Sequence, residues 1–478
     1  MSKPIVIVGA GLGGLALAAR LAHRGENVLV LEKTDQIGGR NRRVEFGGCS
    51  FDGGPTLLMM LDPFERLFAD LGEKMSDHVE IALCDPSYRA YFRDGTRIDA
   101  TANVARMIRQ IEAIGADDDA LRYPKFIGEL AALYEASVPN FVRKNYDGIW
   151  KTLVNPKALA LVLRHHMLGS LGGRISKLFT DERLRMLFSF QTMYLGLSPF
   201  NAPWVYATLT YMEYGSGVWY PKGGLPAISE AVARLAQSRG AEIRLNSAVA
   251  SIQRDSVKLE SGEVIEAKAV VSNADLPYAE ASLMRKPSKP RRYSCSALVL
   301  YIKYRGETPL NHHSVFFGAD FKQNLDDIFD RHQLPKDPAF YVCASCKTEP
   351  ERAPAGYENL FILVPCSNLD APFTEKEKEF LSQAAITRLT EEVGLNPDLI
   401  EEMRSYGPNE WQGELNLDKG AAFGLSHDLF QSAFFRPKNV KDGVYFVGAS
   451  TVPGNGLPMV LISAELAEQR LASASLLG

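Results

Sequence analysis

The sequence predicts an α/β fold in which a Rossmann-type dinucleotide-binding domain is assembled from separated segments of the chain. Residues 5–32 read as a strand, a glycine turn, a helix and a second strand. Apolar strand-like segments return at residues 269–275 and 442–450, far along the chain from the first pair. A glycine-rich turn between a strand and a helix is typical of a dinucleotide cradle. We therefore expect the later segments to complete the same sheet.

The first segment has the glycine spacing that a dinucleotide site requires. In IVIVGAGLGGLALAARL, Gly9 permits the tight turn, Gly11 lets the backbone approach a pyrophosphate, and Gly14 lets the helix pack closely. The second strand ends at Glu32, where a carboxylate bonds a ribose hydroxyl in such folds. The predicted nucleotide-binding residues of this segment are Gly9, Gly11, Leu12, Gly14, Glu32 and Lys33.

A second glycine patch narrows the choice of cofactor. The doublet Gly38-Gly39 precedes Arg40, and FDGGPT follows at residues 51–56. Glycines there remove side chains where a ring or a diphosphate meets the backbone, and an arginine offers its guanidinium to phosphate oxygens. Both patches together resemble the N-terminal signature of the large FAD family that holds amine oxidases, protoporphyrinogen oxidases and carotenoid desaturases. The resemblance implies FAD as the cofactor and adds to its site Gly39, Arg40, Gly54, Pro55 and Thr56.

Composition indicates a globular protein without a nucleic-acid partner. The 478 residues are 46% hydrophobic and 23% charged, and 53 basic against 57 acidic residues leave a net charge of −4. Nothing in that balance indicates a nucleic-acid surface. The sequence contains no uninterrupted apolar run of about 18 residues, so we expect any membrane contact to be peripheral.

The cysteines and histidines are expected to have structural roles only. Six cysteines are spread along the chain, which argues against a disulfide framework and suits a reducing cytoplasm. Cys343 and Cys346 have metal-ligand spacing, but no second pair lies at ligand distance along the chain. The histidine pairs at 165–166 and 312–313 are interpreted as surface or interface residues. No metal site is predicted.

Further regions separate the nucleotide-binding segments. Residues 123–214 form a helical block, and alternating segments between residues 292 and 405 predict an antiparallel sheet. Within the block, residues 158–176 mix apolar with basic residues, which is typical of a helix on a membrane surface and equally of a helix packed on its own domain. The predicted domain bounds are 1–75, 215–284 and 416–478 for the FAD-binding domain, 76–122 and 285–415 for the antiparallel-sheet substrate domain, and 123–214 for a helical insertion that faces the membrane.

Five motifs in order make the resemblance more specific. They are GVWYPKGG, VVSNAD, GAAFG, QSAFFRP and VYFVGASTVPGNGLPMV. With them the chain resembles the bacterial-type carotenoid desaturases, the phytoene desaturase family, from residue 4 to about residue 471. The resemblance implies that the terminal strand and loop wrap the flavin and that residues 248–251 approach the adenine. It assigns to the cofactor Val249, Asn273, Gly448, Ala449, Gly456, Pro458, Met459 and Val460.

The resemblance implies an FAD-dependent desaturase that introduces double bonds into a hydrophobic polyene. Such a reaction needs little acid–base help, because the extending conjugation stabilises the developing positive charge. Glu410 is the candidate general base. The expected partners are a membrane surface and an electron acceptor, either oxygen or a quinone, and the expected location is cytoplasmic and peripheral on the membrane. Aromatic residues considered for a substrate tunnel are Phe190, Tyr194, Trp204, Tyr206, Tyr211, Trp219 and Tyr220.

Two departures from the family pattern concern the length of the substrate. Many phytoene desaturases have a histidine before the Pro-Gly pair where this chain has Val452, and often a glycine after the later proline where it has Met459. The pattern is closer to members that act on thirty-carbon dehydrosqualene. Forty-carbon phytoene is the expected substrate, and dehydrosqualene is the alternative.

Three other functions share parts of this pattern. An amine or protoporphyrinogen oxidase shares the first motifs, although the terminal loop offers Val452, Leu457 and Met459 where amine oxidases need an aromatic cage for a cation. A redox-neutral carotenoid isomerase shares almost all of the motifs. A prenyl-binding, escort-type protein has a related fold and needs neither redox chemistry nor FAD.

Overall fold

The structure is a computed structural model that describes residues 3–145, 156–287, 289–432 and 435–477. Numbered along the chain, its strands are β1 (Ile5–Val8), β2 (Val28–Leu31), β3 (Arg43–Phe46), β4 (Cys49–Asp52), β5 (Ile81–Cys84), β6 (Tyr88–Tyr91), β7 (Arg97–Ala100), β8 (Val218–Pro221), β9 (Glu242–Arg244), β10 (Val249–Ile252), β11 (Ser256–Leu259), β12 (Val264–Glu266), β13 (Ala269–Ser272), β14 (Ser296–Arg305), β15 (His313–Phe316), β16 (Phe340–Cys343), β17 (Tyr357–Cys366), β18 (Ile400–Tyr406), β19 (Val440–Lys441) and β20 (Val444–Phe446).

α-Helices of six or more residues alternate with these strands, and shorter helical turns connect them. Numbered in the same way, the helices are α1 (Leu12–His23), α2 (Asp62–Asp70), α3 (Val104–Ala113), α4 (Asp117–Ser137), α5 (Pro156–Arg164), α6 (Leu171–Leu178), the six-residue α7 (Glu182–Leu187), α8 (Ala207–Tyr214), α9 (Pro226–Ser238), α10 (Phe321–Phe329), α11 (Glu375–Val393), α12 (Pro408–Leu415) and α13 (Leu457–Ser473). Within the described ranges, none of the helices has the length and hydropathy that crossing a membrane requires.

A six-stranded sheet forms the centre of the nucleotide-binding domain. Its strand order is β19-β20-β13-β1-β2-β9, and all neighbours are parallel except the edge pair of β19 and β20. The strands come from three separated parts of the chain, residues 5–31, 242–272 and 440–446. The central strand β1 reads IVIV and is buried along its whole length, as expected for a parallel strand that is covered on both faces.

Helices cover one face of this sheet and a small sheet covers the other. Because side chains alternate along a strand, Ile5 and Ile7 pack against α1, α9 and α13, whereas Val6 and Val8 pack against β10, β11 and their neighbours. β11 and β12 form the hairpin that the sequence predicts around Ser261 and Gly262. The carboxyl ends of β1, β13 and β20 lie at the same edge of the sheet, and α1 and α13 begin at this edge.

A second, seven-stranded sheet has the strand order β18-β14-β17-β16-β15-β6-β7. Its strands from residues 296–406 pair antiparallel, as the alternating sequence predicts. The prediction of a purely antiparallel sheet is wrong at one place, because β15 pairs in parallel with β6. The alternation of apolar and polar residues along a strand carries no information about a partner strand so far away in the chain.

The six cysteines are buried free thiols.

Helices α3 to α8 form a layer with an aromatic core of its own. The single helix predicted over residues 158–176 is wrong, because the chain forms α5 and α6 there with an interruption at residues 165–170. His166 takes a left-handed φ of +50° in the interruption, which a continuous helix does not allow. α6 buries Leu171 and Ile175 in the core, whereas none of the described residues of α5 is buried.

Glu213, in α8, is a carboxylic acid inside this layer. Only 1% of its surface is exposed. Its Oε1 accepts a hydrogen bond from Gln191 Nε2 at 3.1 Å, and its Oε2 accepts one from Tyr194 OH at 2.9 Å. Burial raises the pKa of Glu213 to about 7, although hydrogen bonds from its neighbours act in the opposite direction. The folded protein therefore holds this proton at a pH where the unfolded chain has released it.

We expect Glu213→Gln to flatten the dependence of stability on pH. Between a pKa of 4.5 in the unfolded chain and about 7 in the folded protein, the folded state binds the extra proton, so wild-type stability falls as the pH rises. Across that window the wild type should lose up to about 3 kcal/mol relative to the glutamine variant, with no further change above it.

Thermal unfolding midpoints at about pH 5 and about pH 8 measure this effect. Glu112→Gln, on the exposed side of α3, is the matched control and should leave the wild-type profile unchanged. Parallel profiles for wild type and Glu213→Gln would show that the buried acid does not titrate in this range.

Candidate active site

One cavity of about 920 Å³ extends from the glycine turn after β1 into the helical layer. It begins at the carboxyl edge of the parallel sheet, where open α/β sheets bind their ligands. All but one of the predicted cofactor residues line its wall, namely Gly9, Gly11, Leu12, Glu32, Lys33, Gly39, Arg40, Gly54, Pro55, Thr56, Val249, Asn273, Gly448, Ala449, Gly456, Pro458, Met459 and Val460. The exception is Gly14, where an added Cβ would lie 2.4 Å from the carbonyl oxygen of Gly9. Gly14 thus has the packing role that its position in the motif predicts.

Asn273 fills the space between the glycine turn and the end of the central sheet. It follows β13, and its Nδ2 donates a hydrogen bond to the carbonyl oxygen of Gly9 at 3.3 Å. A Cβ added at Gly11 would lie 2.7 Å from Asn273 Nδ2, and one added at Gly448 would lie 2.7 Å from Asn273 Oδ1. Three chain segments therefore approach so closely that a side chain at either position would displace Asn273, and the φ of +107° at Gly448 also favours glycine there. The backbones of all three segments face the cavity.

Glu32 supports the turn from the neighbouring strand. Its Oε2 accepts a hydrogen bond from the backbone N–H of Ala10 at 2.8 Å, and its Oε1 accepts bonds from the backbone N–H and the hydroxyl of Thr34 at 3.0 Å each. The side chain is buried, yet it lies in the cavity wall. A carboxylate accepts up to about four hydrogen bonds, so capacity remains for a ribose hydroxyl.

The half-buried Arg40 and the buried Arg436 place positive charge at the same end of the cavity. Arg40 lines the wall, and its Nη1 donates to the carbonyl oxygen of Ala422 at 3.2 Å. Arg436 donates to three backbone carbonyls, and although burial lowers its pKa to about 10, the side chain stays charged at neutral pH. The half-buried carboxyl of Asp275 interacts electrostatically with both arginines. Cations removed from water need anionic partners, and a pyrophosphate would supply the remaining negative charge.

The N-terminus of the last helix also lies in the cavity wall. Gly456 has a φ of +103°, and α13 begins at the next residue. The first four residues of α13 all line the cavity. A helix N-terminus stabilises electron-rich atoms that lie close to its free N–H groups. Beside it, His427 Nδ1 and Asn455 Oδ1 have no hydrogen-bond partner among the residues that the structure describes. A ligand with polar atoms on the edge of a ring satisfies both, so the residues at this end fit FAD.

Charged side chains are confined to one end of the cavity. In the described part of the chain, those in the wall are Glu32, Lys33, Arg40, Arg42, Glu260 and Asp275, and all belong to the nucleotide-binding segments. The helical layer and the seven-stranded sheet contribute a mainly apolar wall that includes Val162, Met193, Leu209, Met212, Phe317 and Phe321. The cavity thus has a charged end and an apolar end, which we call the nucleotide end and the apolar end.

Only some of the aromatic residues considered from the sequence reach the cavity. Phe190, Tyr194 and Tyr206 line it, whereas Trp204, Tyr211, Trp219 and Tyr220 do not. Sequence reasoning missed Tyr341 and His427, which do line it. Tyr341 lies on β16 with its hydroxyl 2.7 Å from Thr56 Oγ1, and His427 Nε2 accepts a hydrogen bond from the backbone N–H of Asn455. No motif marked either residue, because both reach the site only through long-range folding.

Glu410 is not in the cavity wall. It lies in the first turn of α12, where its Oε2 accepts a hydrogen bond from the backbone N–H of Gly407 at 2.7 Å and its Oε1 accepts one from Lys378 Nζ at 2.9 Å. Burial acts to raise the pKa of Glu410, but the bonds from Lys378 and Gly407 hold it below its ordinary value. Its position gives Glu410 a helix-capping role and no contact with the site.

Comparison with known proteins agrees with this geometry. The chain matches the family of flavin-containing amine oxidoreductases over residues 12–471. It is 41% identical over 488 aligned residues to the zeta-carotene-forming phytoene desaturase of Myxococcus xanthus, which covers 98% of this chain and 94% of the relative. It is 32% identical to the 4,4'-diapolycopene oxygenase of a Methylomonas species, over 99% of this chain and 98% of the relative.

Solved structures show the same fold at lower identity. An oxidoreductase from Methanosarcina mazei superposes with a TM-score of 0.66 at 17% identity, over 98% of this chain and 100% of the other. The family match and the relatives confirm that FAD is the cofactor and that the protein is an oxidoreductase acting on CH–CH groups. The chain therefore belongs to the carotenoid desaturases within the family of flavin-containing amine oxidoreductases.

Proposed function

We propose that the chain introduces double bonds into an acyclic forty-carbon carotene of the phytoene type. The observation that carries the proposal is the confinement of charged side chains to the nucleotide end of the cavity. A hydrocarbon has no group for a charged side chain to bind, so its binding free energy comes from burying apolar surface. The apolar end of the cavity offers such a surface, and the relative at 41% identity acts on phytoene.

The residues of the chain bind and orient the reactants and exclude water. FAD, when bound, supplies the oxidising chemistry by accepting a hydride. The glycine turn, Arg40 and the N-terminus of α13 hold the cofactor at the nucleotide end, and the apolar wall holds the polyene against it. Loss of the hydride would leave a cation that the conjugated chain stabilises, and loss of a proton from the neighbouring carbon to a weak base such as a water molecule would then form the double bond. A carbon next to such a cation is acidic, so the wall needs no paired acid and base. Oxygen or a quinone in the membrane is the proposed final acceptor of the electrons.

Met459 is proposed to influence the length of substrate that the cavity accepts. It lines the cavity and packs against the buried cluster of Met60, Met212 and Val452. A long side chain at this position narrows the space where the nucleotide end meets the apolar end. Phytoene is the proposed substrate, and thirty-carbon dehydrosqualene is the alternative.

A membrane surface is the proposed source of the substrate, because carotenes dissolve in bilayers. On and beside α5, Leu159, Leu163 and Leu168 are 50%, 65% and 60% exposed. Leu168 also lines the cavity, so this apolar surface adjoins its wall. Arg164 is exposed at the end of the same helix, and a basic residue there favours anionic lipid headgroups.

A second exposed apolar segment supports the same proposal. Leu429 lines the cavity and is 36% exposed, and the adjacent Phe430 is 67% exposed. Monomeric proteins rarely expose several large apolar side chains together without a partner. Peripheral binding through both segments would open the cavity towards the lipid.

Vesicles that contain phytoene test the proposed reaction with purified, FAD-loaded protein. We expect carotene absorption to move to longer wavelength as conjugated double bonds are added, and heat-denatured protein serves as the control. A rearranged carotene with its original number of double bonds would indicate an isomerase and contradict the proposal. Unchanged phytoene and unchanged dehydrosqualene would contradict it as well.

Gly11→Val should reduce the flavin content of the purified protein. The added side chain would meet Asn273 and occupy the path of the pyrophosphate, and each lost hydrogen bond to a charged group is worth about 1.5–3 kcal/mol. We therefore expect at least about a tenfold weaker affinity for FAD, measured by flavin absorption after dialysis. Gly128→Val is the control, because a Cβ at Gly128 would meet nothing within 4 Å. Equal flavin content in both variants would refute the assignment.

Replacing Leu159 and Leu163 together by aspartate should weaken binding to vesicles. Burying a leucine side chain is worth about 1.5–3 kcal/mol, so we expect at least about a tenfold loss of partitioning in a flotation assay. Leu121→Asp is the control, because Leu121 is 81% exposed on α4 and lies outside the cavity wall. If the double variant floats with vesicles as well as the wild type does, α5 is not the docking surface.

Met459→Ala should raise the ratio of kcat/KM for phytoene to kcat/KM for dehydrosqualene. Removing methylene groups from an apolar wall changes discrimination by about 1–3 kcal/mol, so the ratio should rise about tenfold. Met403→Ala, at a half-exposed methionine on β18, is the matched control. An unchanged ratio would mean that substrate length is sensed elsewhere in the apolar end.

A further inference from the structure

A cysteine and two histidines meet in a buried position behind the cavity wall. Cys84 ends β5, His313 begins β15, and His312 precedes it. The Sγ of Cys84 and one ring nitrogen of each histidine lie within 4.8 Å of one another, and all three side chains are buried. Of the surface or interface positions predicted for this histidine pair, the surface position is wrong, because both side chains are buried. Sequence patterns do not indicate this cluster, because Cys84 lies far from the two histidines along the chain.

The second nitrogen of each imidazole ring is held by a hydroxyl group. His312 Nδ1 is hydrogen-bonded to Thr348 Oγ1, and His313 Nδ1 is 2.7 Å from Tyr341 OH. Metal-binding histidines use their outer nitrogen in this way, which fixes the ring and its tautomer. Nε2 is then the free atom of each ring. His313 Nε2 is 3.8 Å from Cys84 Sγ, and the buried Nε2 of His312 has no hydrogen-bond partner in the described part of the chain.

We propose that Cys84, His312 and His313 bind a zinc ion, with water in the fourth coordination position. One thiolate and two imidazoles form a donor set typical of Zn²⁺, which prefers nitrogen and sulfur ligands in tetrahedral geometry. The donor atoms lie within 4.8 Å of one another, so small side-chain shifts would bring each of them to about 2.0–2.3 Å from a shared metal.

The ionisation of the three side chains agrees with this role. Burial lowers the pKa of His312 to about 3 and that of His313 well below its ordinary value, so both rings are neutral and able to bind a metal. Burial also raises the pKa of the Cys84 thiol to about 12. A thiolate at this position therefore needs a cation beside it, and metal binding would release the thiol proton.

The surrounding charges can accommodate the ion. A zinc ion with one thiolate adds a single positive charge. The guanidinium of Arg352 acts on His312 but is paired with Asp52 at 2.9 Å, and the other carboxylate oxygen of Asp52 has no hydrogen-bond partner among the described residues. Glu349 adds a second carboxylate, which accepts a hydrogen bond from Tyr220, and the Tyr220 ring contacts His312 at 4.6 Å between ring centroids.

The ion would connect two separate parts of the fold. β5 belongs to a two-stranded ribbon with β8, whereas β15 lies inside the seven-stranded sheet. From His313, hydrogen bonds run through Tyr341 to Thr56 in the cavity wall. An ion at this position would hold the two parts together behind the cavity wall.

Metal analysis of untagged, FAD-loaded protein tests the proposal. After chelator treatment, incubation with Zn²⁺ and removal of the free ion, the wild type should retain about one zinc ion per chain. Cys84→Ser and His312→Gln should each bind zinc at least about tenfold more weakly. Cys366→Ser and His166→Gln are the matched controls, because they change another buried cysteine and a histidine outside the cluster, and both should retain wild-type zinc.

A variant that keeps all three ligands separates weaker zinc binding from loss of folding. Thr348→Val removes the hydroxyl that holds His312 and should weaken zinc binding about tenfold while the flavin content stays unchanged. Co²⁺ in the wild type should show sulfur-to-metal charge-transfer absorption that is missing in Cys84→Ser.

Wild-type protein that retains no zinc would overturn the proposal, as would equal zinc retention in Cys84→Ser, His312→Gln and Thr348→Val. Either result would leave a thiol that is hydrogen-bonded to His313. None of these experiments measures desaturase activity, so the result for zinc binding does not depend on the proposed function.

Discussion

Asn273 lies where three chain segments converge at the carboxyl edge of the central sheet. Its side chain donates a hydrogen bond to the Gly9 carbonyl, and it packs so closely against Gly11 and Gly448 that a side chain at either position would displace it. This contact fixes the turn before α1 relative to the loop before α13, although the segments are hundreds of residues apart in the chain. The nucleotide end of the cavity depends on it, because the backbone atoms that face a pyrophosphate belong to the same three segments.

The cavity begins at that edge of the sheet, and the separation of its charged end from its apolar end determines the chemistry that it supports. Arg40, Arg436 and the helix N-termini make one end suitable for an anionic cofactor, while the helical layer makes the other end suitable for a hydrocarbon. Inside the helical layer, Glu213 is hydrogen-bonded to Tyr194 and Gln191. Burial raises the pKa of Glu213 to about 7, which favours the neutral form of this acid more than water does.

Patterns within short stretches of sequence predicted much of this structure. The spacing of Gly9, Gly11 and Gly14, the hairpin at Ser261 and Gly262, and the alternating strands of the second sheet all depend on neighbours in the chain. The errors concern contacts that local patterns do not contain. The parallel pairing of β15 with β6, the cavity positions of Tyr341 and His427 and the burial of the histidine pair all arise from long-range packing. Glu410 has the chemical type of a general base and lies near a motif, but its carboxylate caps α12.

The central claim is that one cavity brings FAD and an acyclic carotene together for oxidation. The most direct measurement is a single addition of phytoene vesicles to the FAD-loaded protein with oxygen excluded. We expect the visible absorption of oxidised flavin to fall in proportion to the double bonds gained by the carotene. Full flavin absorption in the presence of saturating phytoene, or a carotene that changes without any change in the flavin, would contradict the claim.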